Sequence, residues 1–308
     1  MITGVTLNPC NDLTVSVQEF SYGGMNRVIA DRMDIAGKGY NFARCVAKLG
    51  MHAGATGMLY LQNGKATEWA MRQDGIFTDC VWQEGRIRTN IKLYDEKNQT
   101  ITEINQNGTP LTKTAIEAVK NKVVEFARRS ELICFSGSLP PECPDDFYKT
   151  LIGLCKPLCK TALDAGGRVL SLGIEAQPAI VKPNLFELET ALGRELNGIP
   201  DIVLAAQEII HRGVEVVCVT MGTDGAVIVT DKEACHAPMV NVEVQSTVGA
   251  GDALLAGVVV TLMQNGTFED ALRLGIAAAA AACTLPGTQI IDRELTEKYL
   301  DKVTVEKL

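Results

Sequence analysis

The stretch Thr247-Val248-Gly249-Ala250-Gly251-Asp252-Ala253 is a turn of small residues that leads directly into an apolar run ending at Met263. Small residues let consecutive backbone N–H groups point at one spot, and the N-terminus of a helix adds the positive end of a dipole. The stretch therefore predicts a helix over 250–263 with an anion cradle at its start. Asp252 is either a plain N-cap or a base that takes a proton from a hydroxyl beside a bound phosphate.

Other well-known phosphate and hydrolase motifs are absent. Gly37-Lys38 runs into Gly39 rather than Ser or Thr, so there is no P-loop, and Leu254 breaks G-x-G-x-x-G after Gly249. Neither H-E-x-x-H nor G-x-S-x-G occurs. These absences disfavour a P-loop NTPase, a standard dinucleotide enzyme, a zincin and a serine hydrolase.

Short β-rich runs alternate with helical patterns along most of the chain, which predicts an α/β fold around a largely parallel sheet. The expected strands are Ile2–Leu7, Ala53–Leu59, Leu132–Ser136, Lys160–Asp164, Ile180–Lys182, Val216–Thr220 and Ala226–Thr230. The expected helices are Tyr40–Leu49, Leu111–Arg129, Asp145–Cys155, Ile202–Arg212, Ala250–Met263 and Phe268–Thr284. The run Ala277–Ala282 predicts a helix packed closely against the sheet.

Two segments, 13–36 and 86–104, interrupt the alternation of strands and helices, because they are rich in β-branched residues and show no helical periodicity. We expect them to form antiparallel strands of one small sheet that acts as a lid. The whole chain, 1–308, is then a single domain with this lid inserted into it.

The composition indicates a globular protein without a nucleic acid or membrane partner. The 308 residues are 46% apolar, with a net charge of −8 and a pI near 5.1, which disfavours binding to a phosphate backbone. No apolar run approaches the roughly 18 residues of a membrane span, and no basic region precedes an apolar N-terminus. Ten cysteines without a C-x-x-C pair and only three histidines predict buried structural thiols in a reducing, cytoplasmic compartment.

Further motifs follow one another along the chain in a fixed order. They are Leu7-Asn8-Pro9 with Asp12, Gly37-Lys38-Gly39 with Asn41, Arg88-Thr89-Asn90-Ile91-Lys92, Thr102-Glu103-Ile104-Asn105, Ser136-Gly137-Ser138-Leu139-Pro140, Leu163-Asp164, Lys182-Pro183-Asn184 with Glu187, Val219-Thr220-Met221-Gly222 with Asp224-Gly225, and the Gly249 turn with Ala256-Gly257. In this order and spacing the sequence resembles the ribokinase-like carbohydrate kinases of the PfkB family over essentially its whole length.

The resemblance implies a three-layer α/β/α sandwich closed by a β lid, and phosphate transfer from ATP to a sugar hydroxyl. It makes Asp252 the catalytic base and lets the amides of Gly249, Ala250, Gly251 and Asp252 stabilise the migrating phosphoryl group. On the nucleotide side, it places Lys182 near the phosphates and Thr220, Gly222 and Gly225 along the ATP cleft. Asn184 and Glu187 would face Mg²⁺ through water, although an N-cap with a capping-box Glu is the plainer interpretation.

On the acceptor side, the resemblance implies sugar hydroxyl contacts for Asp12 and Asn41 beside Gly37. Arg27, Lys38 and Arg88, with Ser138, would together bind a substrate phosphate, although each cation alone could be an ordinary solvated charge. Fructose 1-phosphate, converted to the 1,6-bisphosphate, is the expected acceptor. Tagatose 6-phosphate, a neutral sugar or nucleoside, and a non-catalytic sugar-phosphate sensor are the alternatives.

Ala36, Tyr40 and Glu142 depart from the usual pattern of this branch of the family, and the first two lie beside the sugar motif. Because of these departures, the resemblance identifies the acceptor sugar less firmly than it identifies the type of reaction. The alternating apolar residues of 13–36 and 86–104 would leave one face of the lid exposed, so we also expect a homodimer through the lid.

Overall fold

The chain forms fifteen strands and ten helices in a computed structural model that describes residues 1–308. The strands are β1 Ile2–Thr6, β2 Cys10–Val17, β3 Val28–Ala36, β4 Ala53–Tyr60, β5 Phe77–Thr78, β6 Val81–Gln83, β7 Arg88–Asp95, β8 Thr100–Asn105, β9 Leu132–Ser136, β10 Lys160–Asp164, β11 Ile180–Val181, β12 Val216–Thr220, β13 Ala226–Val229, β14 Ala234–Ala237 and β15 Glu306–Lys307. The helices are α1 Lys38–Lys48, α2 Gly64–Gln73, α3 Lys113–Ala127, α4 Phe147–Cys155, α5 Gly167–Ile174, α6 Leu185–Leu192, α7 Gly198–Ile210, α8 Ala250–Met263, α9 Phe268–Cys283 and α10 Arg293–Leu300.

The central sheet has the order β15-β14-β13-β12-β11-β10-β9-β1-β4-β5, and β6 also pairs with β4. The pairs from β12 to β5 are parallel, and β13, β14 and β15 add an antiparallel edge. Strands β1, β4 and β9 are buried along their whole length, as expected of parallel strands covered on both faces. The predicted α/β fold with a largely parallel sheet is confirmed.

Helices cover both faces of the central sheet and give the three-layer, ribokinase-like architecture. In one layer, α8 packs between α1 and α9, and in the other α3 to α7 follow one another. A Cβ on Gly257 of α8 would lie 2.8 Å from the backbone of Gly275 in α9, so these two helices touch backbone to backbone. The alanine run of α9 is buried. Helix α9 contacts β13 and β14 of the central sheet as well as α8, which confirms the predicted helix packed against the sheet.

Four strands form a separate small sheet in the order β3-β2-β7-β8. The hairpins β2–β3 and β7–β8 are antiparallel, but β2 and β7 are parallel. The expectation of an antiparallel sheet is therefore wrong for the central pair, because each hairpin leaves the main fold separately and both first strands run in the same direction.

The two faces of the small sheet differ in chemistry. Residues that lie directly opposite one another on the four strands form a row across the sheet. One such row is polar, and the row one residue further along the strands is apolar. The polar row is Asp34, Asp12, Asn90 and Asn105, and the apolar row is Met33, Leu13, Ile91 and Ile104. Because successive residues of a strand point to opposite faces, one face is polar and the other apolar here.

None of the ten helices combines the length and the apolar composition that a membrane-spanning helix needs. All ten cysteines are unpaired, and eight of them are buried.

Candidate active site

The carboxyl ends of β1, β9, β10, β11 and β12 meet at one edge of the central sheet, where α/β folds place their ligands. A cleft of about 1610 Å³ opens there, beneath the polar face of the small sheet. That volume exceeds the roughly 300–1,000 Å³ of a site for one small ligand, so two ligands fit side by side. The predicted residues that line it are Asp12, Gly37, Lys38, Asn41, Arg88, Ser138, Lys182, Asn184, Glu187, Thr220, Gly222, Gly225, Gly249, Ala250, Gly251 and Asp252.

Arg27 is the predicted site residue that does not line the cleft. It is exposed and lies just before β3, beside the Val17–Val28 end of the hairpin. The opposite end of the hairpin reaches the cleft, and at about 3.3 Å per residue the two ends are roughly 23 Å apart. The expectation that three cations converge is therefore wrong for Arg27 within one chain.

The cradle at the start of α8 forms as expected. Gly249 is its N-cap and has a φ of 83°, a left-handed conformation that favours glycine. Asp252 lies in the first turn of the helix and makes no capping hydrogen bond, so its interpretation as an N-cap is wrong. Instead, its Oδ2 accepts a hydrogen bond of 2.9 Å from Nδ2 of Asn41.

Asp252 is a buried carboxylate in an unusual electrostatic environment. Burial and the nearby charge of Asp164 raise its pKa to about 7, against the opposing effects of Lys38, the Asn41 hydrogen bond and Lys182. A carboxyl group with a pKa near neutrality is suited to accept a proton from an alcohol, because it stays basic without being fully protonated at physiological pH.

Asp164 at the end of β10 is a component of the site that sequence reasoning did not assign. Its Oδ1 lies 3.1 Å from Nζ of Lys182 and 3.4 Å from Nζ of Lys38, and its Oδ2 accepts a 3.0 Å hydrogen bond from Ser136. Burial would raise its pKa, but the two lysines and the Ser136 hydroxyl lower it to about 2. The sequence did contain a signal for this role, because Asp164 is a charged residue at the carboxyl end of a strand that is otherwise mostly buried.

Lys38 pairs with Asp164, with its Nζ 3.4 Å from Oδ1 of that carboxylate, in addition to lining the predicted phosphate site. The charge of Asp164 is the main cause that raises the pKa of Lys38, and Asp252 adds to it. Lys182 lies at the cradle, since its Nζ is 3.5 Å from where a Cβ on Gly251 would be. Two lysines and two carboxylates thus form one cluster at the start of α8.

Arg88 is held over the cleft by backbone and hydroxyl acceptors. Its Nη1 donates to the carbonyl of Gln106 at 2.8 Å, and its Nη2 lies 3.4 Å from both the carbonyl of Asn8 and the hydroxyl of Ser138. Its Nε is buried and has no acceptor. The guanidinium is therefore held in place, and its Nε–H remains an unused hydrogen-bond donor.

Asn41 Oδ1, Asn90 Oδ1 and Arg88 Nε are buried atoms of the cleft wall without a hydrogen-bond partner. Each such atom costs about 1–3 kcal/mol when it stays unpaired. Two neutral acceptors and one cationic donor suit a ligand that carries both hydroxyl groups and an anionic group.

Asp12 lies on β2, in the polar row of the small sheet, and both of its carboxylate oxygens accept hydrogen bonds. Lys92 Nζ and Thr288 Oγ1 reach its Oδ2 at 3.0 and 2.8 Å, and Asn90 Nδ2 reaches its Oδ1 at 3.1 Å. The predicted contact between Asp12 and a sugar hydroxyl stays a prediction. Lys92 and Asn90 stood in a motif noted from the sequence without a role, and Thr288 carried no signal.

Asn184 and Glu187, which were predicted to face the nucleotide's metal ion, form a capping box on α6. Asn184 Oδ1 accepts from the amide of Glu187 at 2.7 Å, and Glu187 Oε2 accepts from the amide of Asn184 at 2.9 Å. The second carboxylate oxygen of Glu187 takes no part in the box and faces the cleft residue Gly166. No cluster of three or more His, Cys, Asp or Glu side chains suited to a metal ion is present.

Gly222 begins a short 3₁₀ turn after β12, and Gly225 follows the end of that turn. Gly222 has open space around it, so its backbone is accessible from the cleft. At Gly225 a Cβ would overlap the carbonyl of Ala237, so packing against β14 requires this glycine. Thr220 forms an isolated parallel bridge with Asn184 and so joins the end of β12 to the start of α6.

The residues that depart from the family pattern have different surroundings. Tyr40 is buried in the core and its hydroxyl donates to the carbonyl of Met58 at 2.9 Å, so it does not line the cleft. Ala36 does line the cleft, and Glu142 stands exposed at its rim with a φ of 62°. Only the last two remain candidates for an effect on specificity.

The fold and the cleft define a phosphotransferase of the sugar kinase class, and comparison with known proteins agrees. Residues 4–294 match the family described as pfkB family carbohydrate kinase. The chain belongs to this family, and it is a carbohydrate kinase.

Individual relatives within this family are similar to the chain over nearly its whole length. The chain is 34% identical to 1-phosphofructokinase of Rhodobacter capsulatus, across 100% of this chain and 98% of the relative. It is 31% identical to 1-phosphofructokinase of Escherichia coli, across 99% and 98% of the two chains. Among solved structures, phosphofructokinase-2 from Escherichia coli in complex with substrates and products has a TM-score of 0.91 at 28% identity, with 98% of each chain covered.

Proposed function

We propose that this protein transfers the terminal phosphoryl group of ATP to a ketohexose phosphate, with fructose 1-phosphate as acceptor and fructose 1,6-bisphosphate as product. The observation that carries the proposal is Asp252, a buried carboxylate with a raised pKa in the first turn of α8, next to Asn41. The open atoms of Asn41 and Arg88 suit an acceptor with hydroxyl and phosphate groups. The two relatives named 1-phosphofructokinase support the choice of acceptor.

In this proposal Asp252 takes the proton of the attacking sugar hydroxyl. Asn41 fixes the orientation of the carboxylate through its Nδ2 and offers its own Oδ1 to the sugar. The amides of residues 249–252 stabilise negative charge on the migrating phosphoryl group, since the first N–H groups of a helix lack intrahelical acceptors. Lys182, held at the cradle by Asp164, adds positive charge at the same place.

The nucleotide would lie along Thr220, Gly222 and Gly225, with its phosphates toward Lys182. Glu187 and Asn184 offer the oxygen ligands that Mg²⁺ prefers, and their capping box leaves one carboxylate oxygen for a water-mediated contact. The bound cation would neutralise charge on the nucleotide phosphates. We also propose that the reaction occurs in the cytoplasm, because all ten cysteines are free thiols, as expected of a protein in a reducing compartment.

The pKa of Asp252 predicts a pH dependence. The base acts only when deprotonated, and its pKa is raised to about 7, so kcat/KM should fall about tenfold per pH unit below that value. Activity should therefore rise from pH 5.5 to about 7.5 and then level off. A kcat/KM profile for the sugar in buffers of constant ionic strength measures this, and a flat profile down to pH 5.5 would contradict a base with a raised pKa.

We further propose that the whole chain is one kinase domain and that the small sheet is its lid. The polar face of this sheet covers the cleft, while Met33 and Ile104 on its apolar face are 54% and 55% exposed. A continuous apolar row across four strands is a surface that monomers rarely leave uncovered. A second copy of the chain is the proposed cover.

We therefore expect a homodimer in solution. Light scattering at micromolar concentration should give twice the mass of one chain, and the double variant Met33→Asp, Ile104→Asp should be monomeric because it places charge in the apolar row. Trp69→Asp, at an exposed apolar residue of α2, is the matched control and should stay dimeric. A monomeric wild-type protein would remove this part of the proposal.

The proposed function is tested by a coupled assay of ADP release over fructose 1-phosphate, fructose 6-phosphate, tagatose 6-phosphate, fructose and a nucleoside. We expect the highest kcat/KM with fructose 1-phosphate. A higher value for tagatose 6-phosphate or for a neutral acceptor would overturn the proposed acceptor. No turnover with any of them, together with a rise in Tm on sugar phosphate binding, would indicate a sensor instead.

A further inference from the structure

Thr288 belongs to the segment that connects α9 to α10, and it makes hydrogen bonds to two strands of the small sheet. Its backbone N–H donates to Oδ2 of Asp34 on β3 at 3.0 Å, and its hydroxyl donates to Oδ2 of Asp12 on β2 at 2.8 Å. Asp12 and Asp34 stand directly opposite each other in the register of these strands. All three residues are buried, and Thr288 is only 2% exposed. One residue of the main fold thus holds two carboxylates of the small sheet.

The segment around Thr288 approaches the small sheet very closely. A Cβ on Gly287 would overlap Oδ2 of Asp34. Like charges on directly opposite residues destabilise a pair of strands, and here Lys92 pairs with one of the two carboxylates and Arg32 with the other. Thr288 donates to both carboxylates, so it sets their positions relative to the main fold.

The two branches of the Thr288 side chain have different neighbours. The hydroxyl binds Asp12, whereas the methyl carbon Cγ2 is 3.8 Å from where a Cβ on Gly249 would stand. Gly249 is the N-cap of α8 and the first residue of the anion cradle. Thr288 itself does not line the cleft. It therefore lies behind the cleft wall, between the small sheet and the cradle.

The hydroxyl of Thr288 determines which oxygen of Asp12 is open to a ligand. A carboxylate has about four acceptor sites. On Asp12, Lys92 and Thr288 bind Oδ2, and Asn90 binds Oδ1 at 3.1 Å. The thiol of Cys10 is 3.6 Å from Oδ1, which is a long and weak contact. Because Asp12 lines the cleft, Oδ1 is the oxygen with capacity left for a hydroxyl group of a ligand.

We propose that Thr288 is a positioning residue for the sugar: its hydroxyl holds the Asp12 carboxylate in the orientation in which Oδ1 accepts a hydrogen bond from a sugar hydroxyl. The inference rests on the proposed function, because it takes Asp12 to contact the sugar of a sugar phosphate. Thr288 acts through Asp12 and does not touch the substrate. Its methyl group packs against the turn at Gly249 and has no part in holding Asp12.

Thr288→Val and Thr288→Ser separate the two branches of the side chain. Val removes the hydroxyl and keeps the methyl group, whereas Ser keeps the hydroxyl. Both retain the backbone hydrogen bond to Asp34, so the segment stays anchored to β3. Thr288→Val should raise the KM for fructose 1-phosphate about 5- to 50-fold, because it removes a hydrogen bond to a charged group. Its kcat and its KM for ATP should stay within about threefold of wild type, and Thr288→Ser should keep the sugar KM within the same range.

A double-mutant cycle separates this role from a general loss of packing. If Thr288 acts through Asp12, Thr288→Val should lower kcat/KM for the sugar less than about twofold in a protein that already carries Asp12→Ala. Thr296→Val is the matched control, since Thr296 is also a buried threonine outside the cleft and its hydroxyl donates to the backbone carbonyl of Asp292. Its sugar KM should equal that of the wild type.

Three results would overturn the inference. They are a sugar KM within about threefold of wild type in Thr288→Val, a loss in Thr288→Ser as large as that in Thr288→Val, and a Thr288→Val loss that is the same with and without Asp12→Ala. A wild-type preference for another acceptor of the panel contradicts only the proposed acceptor, and the variants are then compared on that acceptor. Without any turnover the proposed function fails, and the calorimetric Kd for the tightest-binding sugar phosphate still decides the role of Thr288. A protein that binds none of the sugars contradicts both.

Discussion

Asp252→Asn is expected to lower kcat by about 10²- to 10⁴-fold, the range usual for loss of a general base, while the Kd for the sugar stays within a few-fold. The substitution keeps the size of the side chain and its ability to meet Asn41, and it removes only basicity. Because Asp252 makes no capping hydrogen bond, the helix itself should not be weakened. Single-turnover kinetics and calorimetry on the same preparation measure the two quantities.

Asp270→Asn is the matched control, because Asp270 occupies the first turn of the neighbouring helix α9 and is exposed to solvent. Its kcat should equal that of the wild type. A loss of less than tenfold in Asp252→Asn would assign Asp252 a structural role and would leave the reaction without its proposed base.

Arg88→Ala should raise the KM for the sugar phosphate by about 10–100-fold. A charge-assisted hydrogen bond contributes about 1.5–3 kcal/mol, and each 1.4 kcal/mol is a factor of ten. Arg88 is positioned by Gln106 and Asn8 and has a buried Nε without a partner, so a phosphate oxygen would complete its hydrogen bonding. The KM for ATP should barely change, since the guanidinium contacts Gln106, Asn8 and Ser138 and none of the residues predicted to bind ATP.

Arg86→Ala is the control for this variant, because Arg86 is exposed and does not line the cleft, although it lies only two residues earlier in the chain.

Lys38→Ala should also raise the KM for the sugar phosphate, and it should move the acid limb of the kcat/KM profile to higher pH. Lys38 is one of the charges that hold the pKa of Asp252 down, so its removal lets that pKa rise further. An unchanged KM in both Arg88→Ala and Lys38→Ala would refute the phosphate contacts.

The parts of the site that could be predicted from the sequence are those that depend on local structure. A glycine-rich turn before an apolar run determines the bounds of α8 and its cradle with no information from elsewhere in the chain. The same holds for β9 and β12, whose bounds match the prediction because each is a short, mostly apolar run between turn residues.

The parts that could not be predicted depend on contacts between distant segments. Asp164 binds Lys38 and Lys182 only because three strand and helix ends meet at one sheet edge. The parallel pairing of β2 with β7 follows from two separate insertions, and no local pattern distinguishes it from an antiparallel one. Arg27 was misplaced for the same reason, since its distance from the cleft depends on the length and direction of a hairpin.

The central claim is that the cleft accepts a sugar that already carries a phosphate. The most direct measurement is the ratio of kcat/KM for fructose 1-phosphate to that for fructose, taken with the wild-type protein and with Arg88→Ala at saturating ATP. The account predicts a wild-type ratio above about 10², which the loss of one charge-assisted contact lowers at least tenfold. A wild-type ratio near one, or a ratio that Arg88→Ala leaves unchanged, would contradict it.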